Sequence, residues 1–180
     1  MPLYTTALIT ALVLILLGAV LLWNATFVGA LARAFPRSRR AAIVTMGLGT
    51  AWTLYHVTHL GESDFGNFRN AIFAGFTILA LASFKYVPDF LSVRGGCILA
   101  LLVANELLDA SWMQYKAPAH LVLNLFAYVV LIPLALWLAV SPFRVRDFFQ
   151  WMFARPNRPR LIGAVVAGYG LVLLGATVSM

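Results

Sequence analysis

The sequence predicts an all-α integral membrane protein: a bundle of six transmembrane helices, both termini outside, with a short amphipathic helix between the fifth and sixth spans. Three observations carry this. Of 180 residues, 62% are hydrophobic and only 11% charged, with a mean hydropathy of +0.90; soluble domains carry about 25% charged residues, because a water-facing surface must be polar. Six apolar runs alternate with short loops. The basic residues fall almost entirely in alternate loops.

A hydrocarbon layer about 30 Å thick takes about 20 helical residues to cross. Taken in order, the runs that meet or approach this are 4–31, 41–60, 70–87, 95–115, 119–140 and 161–179. Pro36 follows the first, Gly61 and Gly66 the second, Pro88 the third and Pro118 the fourth. Pro142, Pro156 and Pro159 separate the fifth from the last. Each breaker stops a helix where a loop is needed. The third run is the shortest and carries no charge before Lys85. No loop could house a second folded unit, so residues 1–180 read as one transmembrane domain. The apolar start lacks a basic leader and is too long for a signal-peptide core, so it reads as a retained helix.

Between the fifth and sixth spans, residues 142–155 place Val145, Phe148, Phe149 and Met152 at i, i+3, i+4 and i+7. Ser141 would cap this helix and Pro142 would open it. One apolar face opposite arginines predicts a helix lying in the interface, with Trp151 and the arginines anchored at headgroups. Trp23, Trp112, Tyr115 and Trp137 read as interfacial belt residues, and the deeper Trp52 as packing.

Orientation follows from charge. If the loop after the first span is cytoplasmic, eleven of the thirteen Lys and Arg lie inside, and only Arg69 and Lys116 lie outside. That bias sets topology. It points to a bacterial inner (plasma) membrane with anionic lipid on the cytoplasmic side. The net charge of +7 is therefore a membrane signal, and nothing beside it indicates nucleic acid. The single cysteine, Cys97, rules out an internal disulfide and cysteine-rich metal sites and reads as a small packing residue. Gly163, Ala167 and Gly170 on the last span, and Gly47 and Gly49 on the second, would let helices approach closely. Asn24-Ala25-Thr26 matches a glycosylation sequon but falls at the cytoplasmic end of a span, which discounts it.

Chemistry would sit where polar groups enter the membrane. Glu106 falls eleven residues after Gly95, about 16 Å along a helix and so near mid-bilayer. Asp109 follows one turn later, with Asn105 beside it. A central carboxylate costs about 2.5–3.5 kcal/mol even on the mildest scale, so both are expected to face a cavity or partners. The second span offers His56 and His59, continuing to Glu62, and the fifth offers His120, Asn124 and Tyr128 at i, i+4, i+8. All three histidines thus fall in the outer half. Simpler readings exist for each: His59 and Glu62 as an exposed helix end, His120 as interfacial, His56 as bonded to neighbouring backbone.

An outward-facing site that binds or relays a cation, proton or transition metal, is the leading expectation. Glu106 and Asp109 are its core, His56, His59 and His120 are ligands or relays, and Asn105, Asn124, Tyr128 and Glu62 give support. Such a protein would be a small transporter. A membrane metalloenzyme acting on a lipid is the alternative, on the same His and carboxylate ligands. A haem b or quinone-site subunit of a respiratory complex is a further one, with His56 or His59 opposite His120, and an accessory subunit without chemistry is the last. A transition metal ranks ahead of haem as cofactor. A homo-oligomer or larger membrane complex would complete the inner half, where no polar stripe appears.

Overall fold

A computed structural model describes residues 2–23, 26–61 and 65–179. The described residues form helices and no strand: α1 (Leu3–Trp23), α2 (Thr26–Ala34), α3 (Arg39–Thr58), α4 (Arg69–Tyr86), α5 (Leu91–Ser111), α6 (Pro118–Leu125), α7 (Ile132–Val140), α8 (Phe143–Met152) and α9 (Asn157–Val178). Five helical stretches are long and apolar enough to cross a membrane: Leu3–Trp23, Gly66–Tyr86, Leu91–Ser111, Pro118–Val140 and Asn157–Val178. This is the make-up of an all-α membrane protein. The expected second span corresponds to α3, which is long enough but less apolar than these five, since it opens on Arg39 and Arg40 and carries Thr, Trp, Tyr and His.

Several expected boundaries move. The first run divides, its span ending at Trp23 and a short helix, α2, following. The sequon residues Asn24 and Ala25 lie outside the described residues. The fourth span starts and stops earlier than 95–115. It begins at Leu91 behind Phe90, whose φ of 56° places it in the left-handed region. It ends at Ser111 because Trp112 turns to an extended ψ and Met113 has a φ of 61°. The left-handed conformation costs a non-glycine residue about 1–2 kcal/mol, and nothing in side chains such as Phe or Met announces it. Pro142, not Ser141, caps α8.

The fifth span is not a uniform helix. Between α6 and α7 the residues Phe126–Leu131 form a π-helix, in which the Ile132 amide bonds the carbonyl of Ala127. Pro133 explains it. Proline has no N–H and its ring collides with the carbonyl four residues back, and a wider turn just before it relieves the collision.

Small residues set the closest contacts. Along α1, Ala7, Ala11 and Gly18 face Gly163, Ala167 and Gly170 of α9, antiparallel. A Cβ on Gly18 would stand 2.6 Å from the Ala167 Cβ, and one on Gly170 would stand 2.9 Å from Ile15. Gly163 and Gly170 therefore act as expected. Gly47 meets nothing within 4 Å among the described residues. Instead Gly95 lies against Thr45 and Met46, and Gly49 against Ile98. The Thr45 hydroxyl is 3.1 Å from the Ser92 carbonyl. Ser92 in turn donates to the Phe35 carbonyl at 2.7 Å. These contacts at successive levels make α3 and α5 parallel neighbours. The outer stretch is α4, which packs chiefly on α3 and of which only Ala80 is buried.

One buried cluster joins Leu3 and Ala7 of α1, Leu107 of α5, Ala119 and Leu123 of α6, and Leu173 of α9. At the other end Val93, Cys97, Ala135 and Val145 form another, with Phe149 against it. Cys97 is thus the packing residue expected. The apolar face of α8 is shared: Val145 and Met152 are buried in the bundle, whereas Phe148 turns outward and stacks on Trp151.

Candidate functional site

Because α3 and α5 run parallel, residues near their C-terminal ends meet. His56 lies two residues before the end of α3, and its Nε2 stands 3.5 Å from Oε1 of Glu106. Each side chain is about one-third exposed, 37% and 33%. Nε2 itself is closed off and has no hydrogen-bond partner among the described residues, and Glu106 is the polar group of α5 that it faces. Trp52 stacks on one side of the imidazole with centroids 6.4 Å apart, and Tyr55 meets it edge-on at 6.0 Å. Glu106 is five residues from the end of α5, about 7 Å below the helix end rather than at mid-span. The shift follows from the earlier start and stop of α5.

Asp109 does not join the pair. It is exposed and accepts from the Asn105 amide at 3.2 Å. Of the two carboxylates expected to face a cavity or partners, Glu106 meets a polar group of α3, whereas Asp109, about 60° around α5 from it, does not.

His59 caps a helix. Its backbone closes α3, and its Nδ1 lies 2.9 Å from the Tyr55 carbonyl. A carbonyl only accepts, so Nδ1 carries the proton and donates. Glu62 lies outside the described residues. Arg69, one of the two basic residues at this end, donates to the Leu60 carbonyl and not to a carboxylate.

His120 belongs to a second group. Its Nδ1–H donates to the Ser111 carbonyl at 2.9 Å. The Ser111 hydroxyl, 2% exposed, donates to Oδ1 of Asn124 at 2.6 Å. The Asn124 amide nitrogen lies 3.2 and 3.4 Å from the two imidazole nitrogens. A group that near to both must lie over the ring face, since in the plane it would strike Cε1; the contact is an N–H against the π-system. Tyr115 packs edge-on to the same ring at 5.2 Å. Ser111 is about 140° around α5 from Glu106, which is why the two groups stay on opposite sides of that helix. Tyr128 is 60% exposed and lies within the π-helix, and it does not join this group.

Among the described residues no three of His, Cys, Asp and Glu come together as metal ligands would. No known protein family, curated protein or solved structure matches the chain. What the geometry offers is a two-residue acid–base pair between α3 and α5, beside a structural Ser–Asn–His group between α5 and α6. Sequence reasoning missed Ser111; its one signal was a hydroxyl in the last turn of a span, at the depth of Asn124.

Proposed function

We propose that the chain is a six-span protein of the inner (plasma) membrane, termini outside, in which His56 and Glu106 form an outward-facing site that binds or relays a cation in a small transporter. The His56–Glu106 pair carries this reading. It sets an imidazole against a carboxylate, in a partly open position within one turn or so of a helix end.

Two features support six crossings. The start of α1 and the end of α9 share one buried cluster, which agrees with an even number of passages between the two ends. The parallel run of α3 beside α5, with α4 between them in the chain, supports a crossing by α3 as well. Eleven of the thirteen basic residues then collect on the cytoplasmic side, against anionic lipid. A proton is favoured over a transition metal, because a zinc-type site takes three or four protein ligands and only two donors meet among the described residues.

Purified protein in vesicles loaded with a pH-sensitive dye tests the site. The native chain should pass protons, Glu106→Gln and His56→Gln should fall to the background of empty vesicles, and His59→Gln should retain flux because its ring serves a helix end. Flux in Glu106→Gln equal to that of the native chain would overturn the assignment.

A further inference from the structure

The end of α7 and the length of α8 enclose a cavity of about 640 Å³, within the range of about 300–1,000 Å³ usual for small-molecule sites. Leu138, Val145 and Phe149 wall it, with the rings of Trp137 and Trp151. Two charged residues line it. Asp147 is held by Arg146, at 2.7 and 2.9 Å, so its charge is matched. Arg144 has no carboxylate partner among the described residues. Its guanidinium is held instead over aromatic rings, 4.9 Å from the Trp137 centroid and 5.7 Å from Phe143. Arg158 adds a second positive charge beside the wall, 4.4 Å from the Trp151 ring.

The cavity does not end at α7. A groove of about 470 Å³, lined by Val129, Val130, Pro133, Leu134 and Trp137, shares Leu134 and Trp137 with it. All five lining residues of the groove are apolar. It follows the helix from Trp137 back to Val129, about 12 Å, beside the π-helix and Pro133. An aromatic-held cation in an apolar cavity that continues as an apolar groove complements a molecule with an anionic head and a hydrocarbon tail.

We propose that this cavity and groove hold one anionic phospholipid, its phosphate against Arg144 and an acyl chain laid along α7. This rests on the reading that the arginine-rich end meets the anionic leaflet, and it assigns one built site where general surface attraction would need none. A soluble anion would have no use for the groove, and a zwitterionic lipid would have less use for the unmatched Arg144.

The test uses the full chain with Trp23, Trp52 and Trp112 replaced by Phe, so that Trp137 and Trp151 report. Vesicles of phosphatidylcholine receive increasing fractions of phosphatidylglycerol or phosphatidylcholine with brominated acyl chains, which quench nearby tryptophan. Quenching should reach its half-point at a lower fraction of the glycerol lipid. Arg144→Gln should reduce that preference about fivefold, the share of one well-placed basic side chain. Arg160→Gln, an exposed charge at the same end, should leave it intact. Native mass spectrometry should show one phosphatidylglycerol retained by the native chain and lost in Arg144→Gln. Equal quenching by both lipids, or equal behaviour of the two arginine variants, would overturn the site. Flotation of the protein with the vesicles separates the two readings: a chain that floats without preference loses only this site, and one that fails to float loses the membrane reading too.

Discussion

At the scale of single residues, polar groups divide by what answers them. Ser111, Asn124 and His120 answer one another, which is the arrangement expected of a structural group. His56 Nε2 has no hydrogen-bond partner among the described residues and faces Glu106 at 3.5 Å. The difference is testable. Ser111→Ala removes a buried donor and leaves the Asn124 carbonyl unanswered. It should lower stability by about 1 kcal/mol, within the range for hydrogen bonds between membrane helices, measured by unfolding in mixed micelles. Proton flux should survive it. Glu106→Gln should show the reverse, a folded protein without flux. The sequence displayed all these side chains, and depth alone made them equals; rotation about α5, which no residue spells out, sorted Glu106 toward α3 and Ser111 toward α6.

At the scale of elements, helices are brought together by what they lack. Gly18, Gly163 and Gly170 let α1 and α9 touch along their length, and every added Cβ there meets an atom at 3.0 Å or less. Gly18→Ala should therefore cost about 1–3 kcal/mol, the usual range for overpacking. Gly175→Ala, with nothing within 4 Å of the new Cβ, should be neutral. Paired thermal melts in one detergent decide it; equal changes in the two would mean that contact at Gly18 does not govern the cost, and helix propensity alone would stabilise both. The glycine and alanine spacing of α9 was legible in the chain. Its partner was not, because a stripe of small residues names no helix. The π-helix before Pro133 was also hidden. Proline foretold a disturbance, but the wide turn depends on how the chain relieves the collision.

At the scale of the molecule, helix order and helix ends constrain topology together. Leu3 and Leu173 meet in one cluster, so a reporter fused to either terminus should give the same answer. In the six-span reading both report the outer side. A phosphatase fusion at Met180 should be active there and a cytoplasmic fluorescent reporter dark; the opposite pattern would break the model. The separation of charge along the same axis puts the cavity proposed for lipid at the arginine-rich end and the His56–Glu106 pair at the other, so loss of either should leave the other at work.

By itself the sequence determined that the chain is helical and apolar, roughly where its runs begin and end, and which end is basic, because transfer to hydrocarbon and helix breaking are local properties that each residue carries with it. The tertiary structure decided which polar groups meet. Hydropathy places a residue in depth but says nothing of rotation about the helix axis, and only the close packing of α3 on α5, permitted at Gly49 and Gly95, set His56 before Glu106.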